Sequence, residues 1–399
     1  MRVALTVTFA ALFATGCSGS SERAAETNSP PNSGSTHKAS AQVPPTPVPR
    51  GTERVTPRRS YPPAENLPTF AAVKIADANY PAGLGAAPDG RVFYSELWGG
   101  RVRVMSPSGT VDPVPWADVN RLYGIQWTRY YHGGLSGIAF DPEFERNRFV
   151  YVVTQIPNKR NGLPVKTLIL RFKDVRGRGT SPKAILSVRA DVFDNTYSVV
   201  FGPDGMLYVP AGFLGTKRPK GDPLADRRGK ILRVTRNGAA GNNPFGTRAP
   251  LVWASGFKNA FDIAFFPKSN LAVAGESGPE AHDEINLVMP GHDYGYPDHQ
   301  GVTSAKGVTS PLLDYGSSRT SPVGIIYYTG NRYPALRGRF LMCENHGRGM
   351  LALRINRSNP GRLLNLTPLV PECTIDLVQT RDGSVVFSDS RAVYRLVQR

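Results

Sequence analysis

Residues 282–299 hold an unusual density of groups that can ligate or move protons: His282-Asp283-Glu284, His292-Asp293 and Asp298-His299. Imidazole beside carboxylate is the ligand mix of transition-metal sites. The spacings, however, follow neither the 3.6-residue period of a helix nor the two-residue period of a strand, so no regular element would gather them on one face. Asp283-Glu284 is an adjacent pair of carboxylates, which on its own in a loop is a solvated pair in most proteins. Elsewhere, Lys258-Asn259 pairs a fixed cation with an amide, and His132 precedes a Gly-Gly step.

The three cysteines divide by position. Cys17 follows Arg2, an apolar run over residues 3–13 and the small residues Ala14-Thr15-Gly16. The run is too short to span a bilayer as a helix and reads as the apolar part of an export signal. Its end resembles a bacterial lipobox, which makes Cys17 the expected lipidation site of residues 1–17. Ser18 follows, with no retention-type Asp, so the outer membrane is the expected location, facing the periplasm or the cell surface. Export permits a disulfide between Cys343 and Cys373, while two buried thiols are the alternative.

Residues 18–67 are Ser, Pro, Thr, Ala and charge, a composition that cannot bury a core and reads as a disordered tether. The rest is apolar enough to fold. Of 399 residues, 41 are Gly and 35 are Pro, which favours many short strands joined by turns. The net charge of +17 would draw anionic polysaccharide, lipid headgroups or nucleic acid without selecting among them. No nucleic-acid-binding module is recognisable, and attachment to a membrane is expected through the lipid alone.

What must position the candidate groups is a repeat. A short apolar strand, a turn rich in Pro, Asp and Gly, and a second apolar strand recur around Pro88, Pro142, Pro203, Pro267, Pro334 and Arg381, at intervals of 54, 61, 64, 67 and 47 residues. A unit of this size is one sheet that cannot cover both its faces alone. Six copies over residues 68–399 predict an all-β, six-bladed β-propeller, with a ligand site in the loops at the mouth of its central channel.

Four stretches now combine into a resemblance. They are Gly133-Gly134-Leu135-Ser136-Gly137 running on to Pro142, Phe201-Gly202-Pro203-Asp204-Gly205, Gly229-Lys230-Ile231-Leu232-Arg233, and residues 276–286 followed by Asp293-Tyr294-Gly295-Tyr296-Pro297. In order and spacing this set resembles the soluble glucose/sorbosone dehydrogenase family, six-bladed propellers that use pyrroloquinoline quinone and calcium. The resemblance implies oxidation of a sugar hydroxyl, with a base taking its proton and the quinone taking hydride. It places the base at Asp194 and its supporting group at Phe213, with His132 as a relocated alternative. Lys258 and Asn259 fall on quinone-binding positions, followed by Phe261, which cannot hydrogen-bond. Gly278, Pro279, Asp283, Glu284 and Tyr294 fall on calcium positions. Near the C-terminus the run Thr374-Ile375-Asp376 stands where the family carries two arginines, so an anionic side chain would face a tricarboxylate there. Two functions follow as expectations: a sugar dehydrogenase with altered active-site residues, or a non-catalytic propeller that binds glycan or a protein partner at the channel mouth.

Overall fold

The computed structural model describes residues 55–127, 133–190, 193, 195–217 and 222–399. Each repeat folds around its turn. In the first, Pro81–Ala86 enters the turn at Pro88-Asp89-Gly90 and returns antiparallel as Val92–Glu96. Gly90 donates its N–H to the Ala87 carbonyl at 2.9 Å with φ of 91°, a conformation that glycine adopts without strain. Arg101–Met105 and Ala117–Asp118 complete a four-stranded sheet. The order then repeats, with the innermost strands Leu135–Phe140, Val200–Phe201, Ala260–Phe265, Pro322–Tyr327 and Leu377–Gln379 opening blades two to six. Among the described residues this makes six four-stranded antiparallel sheets, the expected six-bladed all-β propeller.

The ring closes by a device that the repeat does not announce. Phe70–Asp77 pairs with the last strand, Ala392–Gln398, putting Phe70 opposite Gln398 and Asp77 opposite Ala392. The sixth blade is therefore shared by distant parts of the chain, and closure removes the open edges a sheet would otherwise expose. Between blades the core is continuous. Ile285 and Leu287 of blade four, for example, pack in one cluster with Phe340, Met342 and Leu351 of blade five.

The boundary expected at residue 67 lies earlier. Thr56 donates its N–H to the Gly361 carbonyl, Arg58 bridges to Leu313, and the Tyr61 ring meets Tyr315 edge-on at 5.5 Å. Leu366 donates its N–H to Pro63, and Glu65 pairs with Arg339 and Arg354. Few large apolar side chains are needed for this, because the strap is held by backbone hydrogen bonds and charge. Cys17 and the rest of the expected tether fall outside the described residues. Cys343 and Cys373 form a disulfide, with Cα atoms 5.1 Å apart, which joins blade five to the approach of blade six. Among the described residues no helix is long and apolar enough to cross a membrane.

The blades have two unlike ends. Every innermost strand runs from the channel mouth toward the repeated turns, so those turns share the opposite end. At the mouth lie the connections between blades and the loops between each blade's second and third strands.

Candidate functional site at the channel mouth

A cavity of about 560 Å³ opens at the mouth. Five of the six blades' first strands, or the residues leading into them, supply its wall: Tyr80, Tyr197, Asn259, Arg319 and Thr374. Loops between second and third strands add Trp98, Gly278, Pro279, Asp283 and His346. Much of the wall is aromatic. Tyr197 and Phe261 stack nearly parallel, with centroids 4.5 Å apart and planes 7° apart, and Tyr80 leans on Trp98 at 4.7 Å. Phe261, which has no hydrogen-bonding group, thus contributes a flat surface instead.

The sequence-derived candidates separate here. Lys258 and Asn259 both line the cavity. Lys258 is fixed through its backbone: its N–H donates to Glu276 Oε1 at 2.6 Å and its carbonyl accepts from the Phe213 N–H. Asn259 is 6% exposed, and its Oδ1 is buried with no hydrogen-bond partner, a condition that costs free energy unless a ligand answers it. Gly278 and Pro279 line the same space. Asp283, 3% exposed, accepts from the N–H groups of Gly278, Thr320 and Ser321. Its oxygens are largely used in this way, so its part is to hold the Gly278 turn against the next blade. A side chain at Gly278 would collide with the Ala281 carbonyl, its Cβ lying 2.0 Å away.

Glu284 and Tyr294 do not line the mouth, so the expected calcium set is split. Glu284 faces Glu276 and Asp314 across neighbouring strands. The Asn286 amide nitrogen donates to both Glu276 and Glu284, at 2.9 and 3.0 Å, while Asn286 Oδ1 is buried without a partner. Burial pushes Glu284 up to about 7; it also raises Glu276 well above the usual carboxylate range, with the Glu284 charge adding to the shift. The ligand expected of Tyr294 is its carbonyl; its side chain is fixed by a hydroxyl that donates to the Leu287 carbonyl and accepts from the Met289 N–H, and by a ring that stacks on Phe257. Among the described residues no three His, Cys, Asp or Glu side chains converge as a metal cluster, and His282 is instead bonded to Asp314 at 2.9 Å.

The expected clash at Thr374-Ile375-Asp376 does not occur at the mouth. Thr374 and Ile375 line the cavity, but Asp376 turns into the channel below, where it accepts from the N–H groups of Leu84 and Leu377. Burial, reinforced by the charge of Asp262, raises it well above the ordinary range and favours its neutral form. Phe213 packs under Arg228, 5.1 Å from its guanidinium carbon, and against Tyr296 rather than lining the mouth. The two candidate bases, Asp194 and His132, lie outside the described residues.

Sequence reasoning missed Arg319 and His346, two cationic or titratable groups of the mouth. No local motif marks them. Enumerating the residues that precede each innermost strand would have found Arg319, since the repeat already fixes which end those residues occupy.

Comparison with known proteins agrees with this architecture. The family model for Glucose / Sorbosone dehydrogenase matches residues 78–396. An uncharacterised protein of Synechocystis is 27% identical over 357 residues, covering 80% of this chain and 84% of that protein. Quinoprotein glucose dehydrogenase B of Acinetobacter calcoaceticus is 26% identical over 264 residues; the match spans 59% of this chain and about half, 54%, of that protein. Among solved structures, an oxidoreductase of Thermus thermophilus described as a glucose dehydrogenase superposes with a TM-score of 0.69 at 25% identity, covering 82% of this chain and 100% of that one.

Proposed function

The chain belongs to the glucose/sorbosone dehydrogenase family, and from that premise we propose that it oxidises an aldose or related polyol at the channel mouth, using pyrroloquinoline quinone and calcium. The observation that carries the reading is the buried, unanswered Oδ1 of Asn259 beside Lys258, in a cavity with flat aromatic walls. The donor set fits a planar tricarboxylate. Lys258 supplies positive charge, Arg319 a guanidinium held by Glu280, the Asn259 Oδ1 an acceptor for a ligand N–H or O–H, and Tyr197 with Phe261 a face for a ring system. Gly278 and Pro279 supply backbone carbonyl positions for calcium at the same rim.

Bound quinone would supply the two-electron acceptor for hydride leaving the sugar carbon. The chain's own share is to orient the hydroxyl over the aromatic wall, exclude water and accept the hydroxyl proton. Asp194 and His132 are the two proposed acceptors. A carboxylate with an ordinary value near 3.9 is the weaker base, so Asp194 would need a desolvated setting to act near neutral pH.

Reconstitution tests the reading. Purified protein mixed with calcium and the quinone is expected to retain cofactor absorbance through gel filtration and to reduce a dye with glucose or another aldose. Either Asp194→Asn or His132→Ala should abolish turnover while cofactor absorbance persists. Retention of no cofactor together with no dye reduction would leave the propeller as a binding module.

A further inference from the structure

We propose that the turn end of the propeller, opposite the mouth, is a docking face for an anionic lipid surface. The cavity would then open away from that surface. Charge on this end is lopsided. Asp89, Asp112, Glu143, Asp204 and Asp382 sit on its turns, and each pairs with an arginine. On these turns only Glu145 lacks such a partner among the described residues. Six exposed cations remain that form no ion pair with a described residue: Arg176, Lys268, Arg337, Arg357, Arg362 and Arg381. They come from the turns of blades two, four, five and six, so the surplus spreads over the face rather than along one loop. The turns also hold one another in place. Arg91 and Arg148 of different blades reach the same Asp174, and the Arg381 guanidinium donates to the Pro88 carbonyl.

The course of the chain points to the same end. The strap begins where the Thr56 N–H meets the Gly361 carbonyl, in the turn over residues 356–362 that carries Arg357 and Arg362. Everything before residue 55, including Cys17, is therefore joined to the propeller at this turn. A fixed cation near an anionic headgroup layer improves partitioning about fivefold, and the attraction fades within about 10 Å, so only residues on the face that meets the surface count. Cations presented together from the turns of four blades suit a layer of headgroups better than a single phosphate or a groove-bound polymer.

The test uses the full chain with Cys17→Ser, so that no attached lipid contributes. It is mixed with vesicles of phosphatidylcholine alone or with about one quarter phosphatidylglycerol, at about 0.1 M salt. Cosedimentation is expected only with the anionic vesicles and should be lost at high salt. Reversing four charges together (Lys268→Glu, Arg357→Glu, Arg362→Glu and Arg381→Glu) should weaken binding at least about tenfold. The same change of charge at the mouth end, through Arg121→Glu, Lys159→Glu, Arg160→Glu and Arg391→Glu, should change it less than about threefold. If the reversed protein fails to fold by thermal melting, the four glutamine replacements at the same positions carry the test. Equal weakening by both sets would reduce the effect to net charge and overturn the proposal. Indifference to phosphatidylglycerol, or retention on heparin without vesicle binding, would overturn it as well.

Discussion

The two ends of the blades are built by different rules. At the turn end, the hydrogen bonds that close each turn are local, Gly90 to Ala87, Gly205 to Gly202 and Gly383 to Thr380, and side-chain links such as those of Asp174 are added between finished turns. At the mouth end they reach across the ring. The Phe213 N–H meets the Lys258 carbonyl, Asp283 of blade four accepts from Thr320 and Ser321, and Asn345 donates to the Thr374 carbonyl. The turn end can thus be specified three residues at a time. The mouth is specified only once the ring has closed, which is why a family can vary it while keeping the scaffold.

The largest effect should come where blades touch each other directly. A Cβ at Gly83 would lie 2.5 Å from the Ser136 carbonyl and 2.8 Å from the Gly137 Cα, both backbone atoms of blade two. Gly83→Val is therefore expected to cost about 3 kcal/mol or more, since neither strand can retreat without disturbing the ring. Urea denaturation gives the number. A cost under about 1 kcal/mol would mean that the blades are less rigidly coupled than the contact distances imply.

Midway down the channel, Asp262 ties three blades together. It accepts from Ser198 near blade three and from the Ile325 N–H of blade five. Burial raises it to about 6, against the hydrogen bonds it accepts. The folded state therefore holds a proton that the unfolded chain, titrating near 3.8, has released. Its contribution is complete below about pH 4 and is lost as pH climbs to about 6, a fall of about 3 kcal/mol. Asp262→Asn should flatten that part of the stability profile. An unchanged slope between about pH 4 and 6 would place the proton elsewhere, with Asp376, which the Asp262 charge helps to raise, the neighbouring candidate.

Lys258→Ala should separate binding from folding. At a site assembled late, it is expected to weaken quinone retention about tenfold, roughly 1.4 kcal/mol, with the melting temperature unchanged. Equilibrium dialysis with the quinone and a thermal melt decide the matter. A drop in stability as large as the loss of binding would show the mouth to be part of the core.

Legibility in the sequence follows the same division. Six turns with Pro, Asp or Gly at matching places revealed the blade number, because turn chemistry is local and repeats. Ring closure by Phe70–Asp77 was invisible, since that strand pairs with residues over 300 positions away. The strap at 55–67 was hidden for another reason: backbone bonds, one glutamate with two arginines and a few isolated apolar contacts, those of Val55, Tyr61 and Leu67, hold it, and composition records none of these pairings. Lys258, Asn259, Gly278 and Pro279 were found through the pattern they share with a family, and the structure brings all four to one cavity. The calcium set was split because Asp283 sits in the loop that lines the mouth, whereas Glu284 opens the strand Glu284–Val288 and faces Glu276 and Asp314. Asp376 is held away from the mouth by the N–H groups of Leu84 and Leu377 that it accepts from, and the Leu84 contact, 292 positions away, leaves no local pattern.

The smallest effect should come at Gly205, and its size tests whether the turn end is as self-contained as its hydrogen bonds suggest. Gly205 has φ of 72°, and a Cβ there would meet nothing within 4 Å. Gly205→Ala should therefore cost only the backbone term, about 1 kcal/mol, with no change in cofactor retention or turnover. Gly238, also at the turn end of blade three, makes the internal control. Its φ of 84° is similar, but its Cβ would lie 1.8 Å from the Ile185 carbonyl of blade two. Gly238→Ala must pay for the same backbone conformation and also push a neighbouring blade, so it should cost clearly more. Equal costs at the two sites would show that strain at the turn end is absorbed locally even between blades. If instead Gly205→Ala altered cofactor retention, the two ends would be coupled through the channel wall, and the division between them would fail.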